Sequence, residues 1–252
     1  MNNRIGEKNI NNFGSEMQII GYRGSKDIDI YFSKYKWIAK CAQYNQFKDG
    51  QVKCPYEPRV YGVGYIGEGK YATTVNRKPT RVYDVWRSML RRCYDTKHLI
   101  KEPTYINCEV CEEWHNFQNF AEWHEKNYYE IQEERMHLDK DILFKGNKIY
   151  SPSTCIFVPQ DINLLFIKRD ATRGGLPIGV YYSKAHKKYR AQCNDRKEKR
   201  VYLGLYNTPT EAFQAYKTHK EKLIKNTAEK YKNKIPDKLY RALLNYEVEI
   251  ID

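Results

Sequence analysis

Polar and apolar residues alternate with a period of two at residues 28–32 (IDIYF) of a predicted strand Asp27–Phe32, the pattern of a half-buried strand. Residues 16–22 supply a second strand, joined to it through Arg23-Gly24-Ser25. The stretch FKDGQVKCPYEPRVYGVGYIGEGKY then carries Gly50, Pro55, Pro58, Gly62, Gly64, Gly67 and Gly69, which predicts turn-rich β structure ending a small barrel near Tyr71. Residues 72–80 are polar and aperiodic and read as a linker. The period then becomes helical, with Val82, Trp86, Met89, Leu90 and Cys93 on one stripe of a helix over residues 83–94. Arg87, Arg91 and Arg92 lie off that stripe, placed either to reach phosphates or to pair with the acidic segment that follows. Trp114, Phe117, Phe120, Ala121 and Trp123 form a second apolar stripe, the mark of a core.

Residues 137–163, HLDKDILFKGNKIYSPSTCIFVPQDIN, organise the middle of the chain. His137, Asp139 and Asp141 occupy alternate positions of a predicted strand and so share a face. Gly146-Asn147 makes a turn, and residues 155–158 make an apolar strand. Pro159 stops that strand and suits the first turn of a helix carrying Asn163. Further on, residues 178–183, 189–193 and 200–206 read as three antiparallel strands, with turns at His186-Lys187 and at 195–199. Thr208-Pro-Thr-Glu211 combines a capping threonine, a proline in the first turn and a glutamate at the third helical position. The amphipathic helix it opens turns Ala212, Phe213, Ala215, Tyr216 and Leu223 inward. A last helix near residues 236–246 presents Leu239, Leu243, Leu244 and Tyr246.

Charge separates these segments. The chain carries a formal +13, and residues 168–241 hold 20 Lys and Arg against seven Asp and Glu, an excess equal to the whole. A polybasic surface confined to one segment and interleaved with aromatics on short strands points to a polyanion, nucleic acid first. With 23 Tyr in a 41% hydrophobic chain, several small aromatic-rich cores fit better than one large core. No apolar run approaches the ~18 residues of a membrane span, and the first residues show no secretory pattern. Seven cysteines without disulfide-framework spacing favour a reducing, cytoplasmic setting. Cys108 and Cys111 form a lone CxxC, open both to structural zinc, with His115 or Cys93 completing the ligands, and to buried thiols.

The order of residue types in residues 137–163 resembles the HNH (His-Me finger) nucleases of phage and mobile-element proteins. That resemblance implies a ββα site in which Asp139 takes the first metal-ligand place, Asn147 the orienting asparagine after the turn and Asn163 the helix ligand, with Mg²⁺ or Mn²⁺ as cofactor. The base position holds Lys140 where the family has histidine. Three readings stay open: a live site using His137 or a desolvated Lys140, a dead nuclease kept as a DNA-docking element, or a purely architectural likeness. The strings NNFGSEM and VYGVGYIGEG resemble the N-terminal, SH3-like modules of phage HNH proteins. RGGLPIGVYY, KKYRAQC and VYLGLYNTPTEAFQAYKTHKE resemble the AP2 DNA-binding domain. This last likeness implies a sheet seated in the major groove, with Arg173, Tyr181, Lys187, Lys188, Arg190 and Arg200 toward bases and phosphates.

The expectation is an α+β protein of three modules: an SH3-like β module at 1–71, a helical and HNH-like ββα module at 81–168, and an AP2-like module at 169–252. Its expected partner is double-stranded DNA, and its expected activity is HNH-type endonuclease cleavage of the homing kind. The alternative is a non-catalytic DNA-binding protein, a regulator or inhibitor of a host system. RNA is a further possibility, because a basic sheet bearing tyrosines can stack unpaired bases.

Overall fold

The computed structural model describes residues 4–167, 175–194 and 200–250. The chain divides into two compact units, Met1–Lys126 with Lys148–Pro152, and Asn127–Asn147 with Ser153–Asp252.

In the first unit, β1 (Lys8–Ile10), β2 (Glu16–Gly24), β3 (Asp27–Phe32) and β4 (Trp37–Ala42) form an antiparallel sheet in chain order. The alternation works as read: Met17 and Ile19 of β2 and Ile28, Ile30 and Phe32 of β3 are buried on one face. They pack with Phe47 of α1 (Tyr44–Lys48) and with Cys54. At the hairpin, the Arg23 guanidinium binds Asp27 and Asp29 at 2.7–2.8 Å, neutralising two neighbouring carboxylates.

The sheet is open, and the expected barrel is not formed. Tyr61, Gly62 and Gly67 take left-handed backbone conformations, which break a ladder, so the Gly-rich stretch folds as turns. Side chains satisfy part of its backbone instead. The Gln118 amide pairs with both the N–H and the carbonyl of Tyr71, and buried Glu57 accepts from Cys54 N. The expected linker also differs. It holds a minimal hairpin, β5 (Thr74–Val75) and β6 (Lys78–Pro79), because Asn76 and Arg77 both adopt positive φ and turn the chain tightly.

Thr80 caps α2 (Arg81–Tyr94) by accepting from Tyr83 N, and the predicted stripe is buried at Trp86, Met89, Leu90 and Cys93. α3 (Thr96–Lys101) and β7 (Glu109–Val110) lead to α4 (Phe117–Asn127), where Phe117, Phe120 and Ala121 are buried. The Trp86 indole N–H donates to the Trp114 carbonyl at 2.7 Å. Residues Ile149–Tyr150 return to this unit and pair in parallel with β7.

The second unit holds β8 (Met136–Asp139), antiparallel to β10 (Ile156–Pro159), followed directly by α5 (Gln160–Asn163). The intervening Ile149–Tyr150 strand is β9. Next comes a three-stranded antiparallel sheet of β11 (Val180–Ser183), β12 (Lys188–Asn194) and β13 (Arg200–Tyr206). Then follow α6 (Pro209–Tyr231) and α7 (Asp237–Leu244). The capping box at Thr208 and Glu211 is made in full.

α6 serves two cores. Its first turns bury Ala212, Phe213 and Tyr216 against Val180, Ala191 and Cys193 of the sheet. Its later turns bury Ile224, Ala228 and Tyr231 with Ile156 and Val158 of β10, Ile162 of α5 and Leu239 and Leu243 of α7. The C-terminal strap locks both ends. Val248 sits in the sheet core, its N–H donates to Glu221, and the Lys145 ammonium donates to the Glu247 carbonyl. The described residues are thus mixed α and β, with seven α-helices and several sheets, none closed. No described helix is long and apolar enough to cross a membrane.

Gly179 lets β11 approach α6. Its φ is +77°, and a Cβ there would lie 2.1 Å from the Tyr216 ring. Gly179→Ala is expected to cost about 3 kcal/mol in urea unfolding, from left-handed strain plus overpacking. Thr208→Ala should cost about 1 kcal/mol, as loss of one cap does.

Candidate nucleic-acid interface

The strand period sorts the three-stranded sheet into two faces. Along β12, Tyr189, Ala191 and Cys193 turn toward α6, while Lys188, Arg190, Gln192 and Asn194 turn away. Strand register sets neighbours beside them: Tyr181 and Leu205 flank Arg190, Ser183 faces Lys188, Tyr202 faces Gln192, and Arg200 faces Asn194. Lys188, Arg190 and Arg200 are exposed, as are Tyr181 at 37% and Tyr202 at 60%. A bulge between Ala191 and Gln192 shifts the register, so Tyr202 rather than Leu203 meets Gln192.

Five of the six residues expected at this surface are therefore described, and four of them, Tyr181, Lys188, Arg190 and Arg200, share the open face. Lys187 is exposed in the adjoining turn at φ +50°. Arg173 lies outside the described residues. Tyr202, Gln192 and Leu205 complete the face and were not singled out from the sequence. The alternation of KYRAQCN was the signal for Gln192, but the bulge hid the pairing of Tyr202.

The ββα element is present, and its residues stand differently. On β8, Met136 and Leu138 are buried, while His137 and Asp139 share the opposite, half-buried face. Lys140 continues the buried side and is only 7% exposed. Its ammonium donates to the Asp141 carboxylate at 3.0 Å and to the Asn147 carbonyl at 2.9 Å. The Asn147 amide N–H in turn donates to the Lys140 carbonyl at 2.7 Å. Asn147 thus holds the backbone at the expected position, but the loop is closed around a lysine donor. A general base needs a lone pair to accept a proton, whereas these partners bind Nζ through its protons.

Asp139 Oδ1 accepts from Asp141 N at 2.9 Å and Ile142 N at 2.8 Å, shaping the turn. Burial, then the neighbouring Asp141 charge, push the Asp139 carboxyl up to about 6, against the pull of those two N–H groups. The His137 Nε2 atom is buried. Asn163 is half-buried in α5, and no hydrogen bond joins it to Asp139 among the described residues.

A divalent cation would be held here by Asp139 and Asn163. Mg²⁺ and Mn²⁺ favour hard oxygen donors and anionic charge. This set offers one carboxylate already engaged with two amides and one neutral amide, with the Lys140 cation against the adjacent carboxylate. The donor chemistry fits the ion poorly. Among the described residues no group of three or more His, Cys, Asp or Glu could hold a metal. In the first unit, the buried Cys108 thiol donates to the Thr104 carbonyl at 3.9 Å, and burial raises the Cys111 thiol above its ordinary value. The His115 ring is within hydrogen-bond distance of the Val110 carbonyl, at 3.1 Å.

No protein-family model, curated protein or solved structure matches the chain.

The upward shift of the Asp139 carboxyl fixes the sign of its effect on stability. The folded state holds that proton more tightly than the unfolded chain, whose value is 3.8. Asp139 therefore makes stability fall as pH rises from about 4 to about 6, with no further change above. Asp139→Asn keeps an oxygen for the two N–H donors and should remove that decline. Urea unfolding of both proteins across this range measures the difference.

Proposed function

We propose that this chain is a double-stranded DNA-binding protein that uses the open face of β11–β13. The observation that carries this reading is the row of Tyr181, Arg190 and Leu205 between Lys188 and Arg200, on the side of the sheet turned away from α6. Arginine held between flat or branched neighbours presents a planar fork suited to bidentate contact with guanine. Lysine at the rim gives a mobile charge for phosphates. The AP2 likeness of the same residues supports DNA as the ligand. In this reading the ββα element is a docking part fixed to the sheet through α6, and Lys140 is a structural cation.

Binding to duplex DNA should weaken steeply with salt as counterions are released. Arg190→Ala should cost about 1–3 kcal/mol and relax sequence preference, while Lys188→Ala should weaken all sequences alike and lower the salt slope by about one. Fluorescence anisotropy on a panel of duplexes measures both. Salt-insensitive binding, or tighter binding to single-stranded RNA, would remove the reading.

The second reading, metal-dependent cleavage, is favoured by one observation: Asp139 closes a ββα strand whose next carbonyl is held by Asn147. We expect supercoiled plasmid to stay intact with the chain and Mg²⁺ or Mn²⁺. Nicking that disappears in Asp139→Ala would instead establish the endonuclease.

A further inference from the structure

Arg92 stands out among the cations of the first unit by its surroundings. Its guanidinium carbon lies 5.3 Å from the centroid of the Tyr150 ring and 5.8 Å from that of Tyr105. Nε donates to the Ser88 carbonyl at 3.3 Å. Burial acts first on its charge, followed by Tyr150, Tyr105 and Cys93, and it forms no ion pair with a carboxylate among the described residues. Arg87, five residues earlier, is paired with Asp84, and Arg23 with two aspartates, whereas Arg92 is packed on aromatic rings. Tyr150 is only 1% exposed and is held by the parallel pairing with β7, so the platform under the guanidinium is rigid.

A second cation stands on the same turn. Tyr105 belongs to the short 3-10 turn Pro103–Tyr105, and exposed Lys148 donates to the Thr104 carbonyl at 3.1 Å. That bond uses one of three ammonium donors and leaves two. Arg92 spends Nε on the Ser88 carbonyl and also hydrogen-bonds the Tyr105 side chain, which leaves part of its five-donor fork for a ligand. Aromatic contact holds the guanidinium flat and weakly hydrated, so little side-chain entropy remains to be lost when an anion arrives. Two cations that contact neighbouring residues of one turn, Arg92 at Tyr105 and Lys148 at Thr104, suit an anion with several oxygens.

We infer that Arg92 and Lys148 form a phosphate-binding site on the first unit, and that it takes a backbone phosphodiester of the DNA. This rests on the proposed function and adds to it a contact outside the sheet.

The test is the salt dependence of duplex binding by the full chain, read by anisotropy on a DNA of about 30 base pairs. Each of Arg92→Gln and Lys148→Gln is expected to weaken binding several-fold and to flatten the slope of log affinity against log salt by about one. Arg92→Lys should weaken binding while keeping the slope, because charge stays and the fork is lost. Thermal melting confirms that each variant folds. Should Arg92→Gln fail to fold, exposed Lys148→Gln decides. Folded variants with the wild-type slope would overturn the site and leave the sheet reading standing. Absence of duplex binding by the wild type at every salt concentration would overturn both.

Discussion

The second unit depends on one helix being long enough to belong to two cores. α6 spans 23 residues, about 35 Å at 1.5 Å per residue. Its first turns close the three-stranded sheet, and its last turns close the ββα element with α7. Each of these parts is small: a three-stranded sheet or a two-stranded ribbon has too little apolar area to be stable without a covering partner. Sharing the helix lets each stabilise the other and fixes the basic face relative to β8 and β10. The strap through Val248, Glu221 and Lys145 ties the same elements a second time.

Around Asp139 the polar side chains are engaged with one another. A buried ammonium is costly unless its donors are met, and the loop meets them with the Asp141 carboxylate and the Asn147 carbonyl. Asp139, Lys140 and Asn147 are thereby used to hold a turn. The open sheet face has the opposite character: Lys188, Arg190 and Arg200 are exposed and have no carboxylate among their register partners. Function is better supported where charge is displayed than where it is consumed.

Much of the local structure was legible in the chain. The alternation of DIDIYF, the helical stripe from Trp86 to Cys93, the capping box at Thr208 and the three basic strands all express side-chain periodicity, which needs only nearest neighbours to be read. The AP2 likeness had singled out Tyr181, Lys188, Arg190 and Arg200, which strand register sets on one face. The barrel was misread because Gly-rich turns and strand ends look alike in composition. The decisive difference is left-handed backbone at Tyr61, Gly62 and Gly67, with Gln118 supplying the missing ladder bonds from 47 positions away.

What the sequence determined by itself was therefore the periodic strands and helices, the polybasic character of the last segment and the acidic and amide residues of the ββα stretch. Tertiary structure alone decided how Lys140 is used, since its partners lie across a turn. It alone set Tyr202 beside Gln192, through a bulge that periodicity does not announce, and brought Tyr150 under Arg92 across 58 residues of chain. Periodicity reports which side of an element is wet. Whether a charge is met by a carboxylate, a carbonyl or only by aromatic rings depends on what folding brings to it from elsewhere in the chain.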